Sequence, residues 1–154
     1  MPKLHLGCGP DYKDGYTNID VREEVRADLH ADVRQLPFED AAVDEILARN
    51  ILEHFPAAET VSVLQEWRRV LRPDGVLTII VPDIHYWAQR YLNNIIKSDD
   101  FVYRMYGGQT SSHDFHYTGF DDSLIRQSCL DAGFTQSNIL VNSYADALHC
   151  VARK

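Results

Sequence analysis

Three short stretches of this sequence carry the residue types that hold a nucleotide-like ligand. Gly7-Cys8-Gly9-Pro10 follows a short apolar segment, and its glycines let the backbone turn sharply and come close to a ligand with amide N–H groups free. Asp20 closes the segment Tyr16-Thr17-Asn18-Ile19, and a carboxylate there can accept hydrogen bonds from both hydroxyls of a ribose. The third stretch runs from Ala31-Asp32-Val33 to Asp40 and is followed by a segment ending in Asn50-Ile51-Leu52-Glu53-His54. A polar group beside the adenine amine and an apolar one against its face are what a purine slot needs. A glycine pair alone is weak evidence, and the third glycine of the dinucleotide fingerprint is replaced by Tyr12. The signal lies in the order of all three.

Two other places can move a proton near neutral pH, the range in which an imidazole titrates. His54 is one. The other is the polar stretch Gly107-Gly108-Gln109-Thr110-Ser111-Ser112-His113-Asp114-Phe115-His116-Tyr117, denser in His, Asp and Tyr than a simple connection needs. Its paired glycines suit a loop that closes over a substrate, with His113 or His116 facing the reacting group. The competing reading makes His54 a helix cap and the other two surface residues. His-Asp-Phe-His has no third ligand in sequence and no HExxH helix, so no functional metal is expected.

These groups need strand ends to hold them. Leu4 to Leu6, Tyr16 to Asp20, Asp28 to Asp32, Asp44 to Asn50 and the β-branched run Val76 to Val81 suit strands, the last buried on both faces. Helices alternate with them. Val63, Leu64, Trp67, Val70 and Leu71 recur at helical spacing until Arg72-Pro73-Asp74-Gly75 ends that helix. Ile84, Trp87, Ala88, Tyr91, Leu92 and Ile95 form a second stripe, with Trp67, Trp87 and Leu92 expected in the core. Asp121 can cap a third helix carrying Leu124, Ile125 and Cys129 and closed by Gly133. Ser137 to Tyr144 and Ala147 to Ala152 suit a final strand pair. Such alternation implies a mostly parallel α/β sheet in one domain, residues 1–154, with its ligand beyond the carboxyl ends of the strands.

Leu4-His5-Leu6-Gly7-Cys8-Gly9-Pro10, Asn18-Ile19-Asp20, Ala31 to Phe38, Leu52-Glu53-His54 and Val70 to Leu77 together resemble the class I S-adenosylmethionine-dependent methyltransferases, and more closely the methyltransferase domain 11 type with its short relatives. The resemblance covers essentially the whole chain. It implies a Rossmann-like, doubly wound, mostly parallel seven-stranded sheet of order 3-2-1-4-5-7-6 with strand 7 antiparallel. It also implies S-adenosyl-L-methionine as cofactor. Gly7, Cys8 and Gly9 would line the methionine portion, Asp20 would hold the ribose and Val21 would touch the adenine. Asp32 and Val33 would fix the adenine edge, and Asn50 with Ile51 would close the pocket under the sulfonium. Two departures stand out. Only Pro10 to Gly15 separate Gly9 from the second strand, a shortened first crossover, and no helices precede the first strand. Both point to a shallow pocket that a dimer mate or partner subunit completes.

The acidic balance narrows the acceptor. With a net charge of −8, nucleic acid is not an expected partner, since its binders place Lys and Arg against phosphates. Arg68, Arg69 and Arg72 beside Glu66 fit a solvated helix face. The fourth strand does not end in the Asn/Asp-Pro-Pro-Tyr/Phe pattern of amino-methylating DNA and protein enzymes, and a small molecule, methylated on oxygen or nitrogen, is the expected acceptor. No apolar run suits a membrane span and no secretory segment opens the sequence; three unpaired-looking cysteines (Cys8, Cys129, Cys150) suit a reducing cytoplasm. Two other classes stay open: a non-catalytic methyltransferase-like partner subunit, favoured by the short crossover, and a nicotinamide oxidoreductase. The missing third glycine and the lack of a Tyr-x-x-x-Lys pair weigh against the latter.

Overall fold

The computed structural model of the protein describes residues 2–154; Met1, within the expected domain 1–154, lies outside the described residues. Seven strands hydrogen-bond into one sheet of order β3-β2-β1-β4-β5-β7-β6. They are β1 (Lys3–Leu6), β2 (Thr17–Asp20), β3 (Leu29–His30), β4 (Val43–Arg49), β5 (Leu71–Pro82), β6 (Ile139–Tyr144) and β7 (Ala147–Arg153). β1 to β5 run parallel to one another, and β7 is antiparallel to both β5 and β6. The expected order and direction are therefore those observed.

The local causes are readable. Val76 to Val81 lies inside the sheet, between β4 and β7, but its burial alternates. Leu77, Ile79 and Val81 are fully buried and Val76, Thr78 and Ile80 on the other face only partly, so the expected burial on both faces is incomplete. The strand begins as early as Leu71, because the Arg72-Pro73-Asp74-Gly75 turn is a kink within it, with Asp74 at φ 62° and a register shift against Val43 to Glu45. Helix α1 (Thr60–Val70) buries Val63, Leu64, Trp67 and Val70, the stripe its spacing predicts. Asp121 caps α4 (Asp122–Asp131), accepting from the Leu124 N–H, and Gly133 (φ 97°) lets the chain leave it.

The second stripe is corrected by the structure. Helix α2 (Ile84–Leu92) ends three residues before Ile95, and of the stripe it buries Trp87. Leu92 is 76% exposed and Ile95 55%, so neither is core. The reason is α3 (Ser98–Tyr106), a helix the sequence pattern does not announce: it packs on α2 through the stacked Tyr91 and Phe101 rings, leaving the outer face open. The arginine cluster also differs. Arg69 is a clamp, paired with Glu66 and Asp40 and donating to the Leu36 and Phe38 carbonyls, so it ties α1 to the segment that follows Asp32. The three cysteines are free. Among the described residues no helix is long and apolar enough to cross a membrane.

Candidate functional site

β1, β2 and β4 deliver their last residues to one end of the sheet, as parallel strands of similar register must. There they open a cavity of about 840 Å³. All nine residues expected at a cofactor line it: Gly7, Cys8, Gly9, Asp20, Val21, Asp32, Val33, Asn50 and Ile51. Gly7 has φ 60°, and a Cβ there would lie 2.6 Å from the Ile51 side chain, so this position needs glycine both for its backbone and for the wall it shares with Ile51. Val33 is fixed from behind: its carbonyl accepts a hydrogen bond from the indole N–H of the fully buried Trp67, 3.0 Å away.

The two carboxylates are not free. Asp20 Oδ1 accepts from the backbone N–H and Nε of Arg22, and Oδ2 accepts from the Gly9 N–H and the Arg22 Nη2. Burial alone would push this carboxyl up, but those donors outweigh it and hold it at about 2. Because the folded value lies below the usual 3.8, the pair stabilises the protein above about pH 4 and that contribution is lost as the pH falls through 2. Asp32 is held in the same way by Arg34, which also reaches Glu59. Sequence reasoning passed over both arginines. The signal was present, as the same Asp-x-Arg spacing occurs at the ends of the second and third strand segments.

The histidines divide. After β4 the chain turns through a 3-10 segment, Leu52–His54, and the 107–118 stretch docks on that turn. The N–H groups of Tyr117 and Thr118 both donate to the Glu53 carbonyl, and the Thr118 hydroxyl donates to Phe55. His54 Nδ1 lies 2.9 Å from the Phe115 carbonyl. The glycine pair does not act as an open hinge here: a Cβ at Gly107 or Gly108 would collide with Asp114, so the pair allows the loop to pack on itself. His54 and His113 line the large cavity, whereas His116 lines an adjoining one of about 300 Å³ together with Glu53, His54 and Asp114. The rings of His54 and His116 meet edge to face, 5.0 Å between centroids. Burial lowers the pKa of both, so each is neutral near pH 7. Glu53 is 1% exposed with no partner for either carboxylate oxygen, and burial pushes its pKa up to about 8. The sequence supplied no third group beside the two histidines; the fold supplies Glu53.

Residues 8–79 match the methyltransferase domain family. No curated protein matches the sequence. Among solved structures, an S-adenosylmethionine-dependent methyltransferase from Methanosarcina mazei superposes with a TM-score of 0.70 at 17% identity, covering 99% of this chain and 92% of its own. A 1,6-didemethyltoxoflavin-N1-methyltransferase from Burkholderia thailandensis, solved with its substrate and S-adenosylhomocysteine, does so at 0.65 and 18%, covering 100% and 72%. A chain from a complex of the Haloferax volcanii Trm112 methyltransferase activator with its methyltransferase scores 0.67 at 17% identity, covering 99% and 81%.

Proposed function

We propose that this chain is a class I S-adenosylmethionine-dependent methyltransferase and that it transfers a methyl group to the oxygen or nitrogen of a small molecule seated between the cofactor cavity and the 107–118 loop. The observation that carries this reading is the convergence of Gly7, Gly9, Asp20, Asp32 and Ile51 on one cavity that His54 also lines. The residues fit the cofactor in kind. A glycine wall that a Cβ would fill, a buried carboxylate for a diol, and the apolar Val21, Val33 and Ile51 for a purine are all present. When bound, S-adenosylmethionine supplies an electrophilic methyl on a sulfonium. The protein's own part is to align the acceptor with that methyl, which in an in-line displacement supplies much of the acceleration. His54, neutral and half-buried at the inner end, offers a site for the acceptor's proton. The Haloferax complex, in which a methyltransferase is solved with an activator, supports a partner chain for this fold.

S-adenosylhomocysteine should raise the melting temperature while NAD and NADP leave it unchanged. At a hundredfold excess over Kd the stabilisation is about 2.7 kcal/mol, a shift of several degrees. A shift with NAD and none with S-adenosylhomocysteine would reverse the reading.

The ribose assignment makes a paired prediction. The Asp20 oxygens have about four lone-pair directions, and Arg22 and Gly9 fill them, so a diol can bind only when the Arg22 side chain moves away. Asp20→Ala should therefore weaken S-adenosylhomocysteine binding about ten- to hundredfold. Arg22→Ala should not weaken it. Calorimetry showing the opposite ranking would place the ribose elsewhere.

A further inference from the structure

We infer that Glu53, His54 and His116 form a binding site for one divalent transition-metal ion of the zinc or ferrous class. One ligand atom from each lies within 4.8 Å of the others, close enough to share an ion after small side-chain rotations. The hydrogen bonds fix what each group offers. A carbonyl oxygen only accepts, so the His54 Nδ1 facing Phe115 and the His116 Nδ1 facing Arg104, 3.2 Å away, must each carry the proton. In the neutral rings Nε2 is then a bare lone pair. Donation of the remote N–H to a backbone carbonyl is also how ligating histidines are oriented.

Glu53 supplies the second, independent observation. Its carboxylate is 1% exposed and neither oxygen has a partner, although buried polar groups are nearly always satisfied. With Glu53 ionised, the three groups are acceptors without a donor among them. As the side chains stand, neither Glu53 oxygen meets a partner among the described residues, and a cation drawn in by small rotations would satisfy all three groups at once. Two imidazoles with one carboxylate suit zinc, ferrous iron or nickel better than magnesium or calcium. Three protein ligands leave a coordination position open, and His54 and Asp114 line both cavities, so that position faces the space assigned to the acceptor. There the ion would hold an acceptor hydroxyl and lower its pKa, a role that rests on the methyl-transfer reading; binding of the ion does not.

The test uses untagged, chelator-stripped protein titrated with zinc, manganese and magnesium chlorides by calorimetry, with cobalt(II) absorption reporting the coordination geometry. One zinc ion per chain is expected, bound more tightly than magnesium, with a tetrahedral or five-coordinate cobalt spectrum. Glu53→Gln and His116→Ala, checked for folding by circular dichroism, should bind zinc at least about a hundredfold more weakly, and His85→Ala on the exposed face of α2 should bind it as the parent does. Sub-stoichiometric binding by the parent, or unchanged binding in folded Glu53→Gln and His116→Ala, overturns the site. If a variant fails to fold, the cobalt spectrum of the parent decides the matter: a spectrum indistinguishable from that of the hydrated ion overturns the site, and one shifted by nitrogen ligands upholds it. Zinc binding in a protein that ignores S-adenosylhomocysteine would uphold the metal site and remove the methyl-transfer reading.

Discussion

His54→Ala should slow methyl transfer by about 10²–10⁴-fold and leave S-adenosylhomocysteine affinity nearly unchanged. The imidazole stands where the turn after β4 meets the 107–118 loop, with Nδ1 committed to Phe115 and the ring beside Glu53 and His116. Its loss removes the group proposed to receive the acceptor's proton or, where the ion is bound, one of the ligands that hold it beside the acceptor, while the walls made by Gly7, Asp20 and Val33 stay in place. The readout is S-adenosylhomocysteine formed from S-adenosylmethionine with a panel of small hydroxyl- and amine-bearing acceptors, set beside calorimetric cofactor affinity. An equal fall in turnover and affinity would mean that His54 only props the loop, because loosening the loop alters the cavity as a whole. His116→Ala should share the turnover loss; His113→Ala, at an exposed position, should lose less.

Trp67→Ala should cost about 3–5 kcal/mol of folding stability, the usual range for deleting a buried aromatic ring. Trp67 is fully buried on the inner face of α1, and its indole N–H is bonded to Val33. The cavity left by the ring adds to the lost transfer energy, since the helix and sheet close over it only in part. Trp67→Phe keeps most of the burial and removes the hydrogen bond, so it should cost less overall and still leave the Val33 carbonyl without its donor. Urea unfolding of both variants measures the two contributions. A loss below 1 kcal/mol for Trp67→Ala would show that the site is not tightly packed.

Much of this was legible beforehand, for physical reasons that differ by element. Val76 to Val81 announces a strand inside the sheet because one face is buried and the other at least partly covered, and Asp121 announces α4 because a cap is a local device. The order of the strands came with the family resemblance, not from any periodicity. The α2 stripe misled at Leu92 and Ile95 because periodicity shows that a helix has an apolar face without saying whether anything covers it. At the site, Gly7, Gly9, Asp20 and Asp32 were legible as groups at strand ends, while Val21, Asn50 and Ile51 came with the family resemblance; all nine expected positions line the one cavity. Glu53 was visible only as part of Leu52-Glu53-His54. Its isolation from water depends on a loop more than fifty positions further along, a tertiary fact that no local pattern encodes. Arg22 and Arg34 were missed because an arginine two residues after a strand-end acid was not weighed as that acid's partner.

The placement of β7 shapes how the chain reaches this structure. Residues 147–153 insert between β5 and β6, pairing with Val76 to Pro82 on one side and Ile139 to Tyr144 on the other. Until they have been synthesised, the Val76 to Pro82 edge has no hydrogen-bonding neighbour on that side, and Leu77, Ile79 and Val81 lack part of their cover. A nascent chain therefore carries a long, apolar, unpaired strand edge, a form prone to pairing with other chains. Closing the sheet also joins segments about seventy positions apart, which slows the step by the entropy of closing so large a loop. Productive folding is thus tied to the arrival of β7, and early collapse without that strand leads towards aggregates.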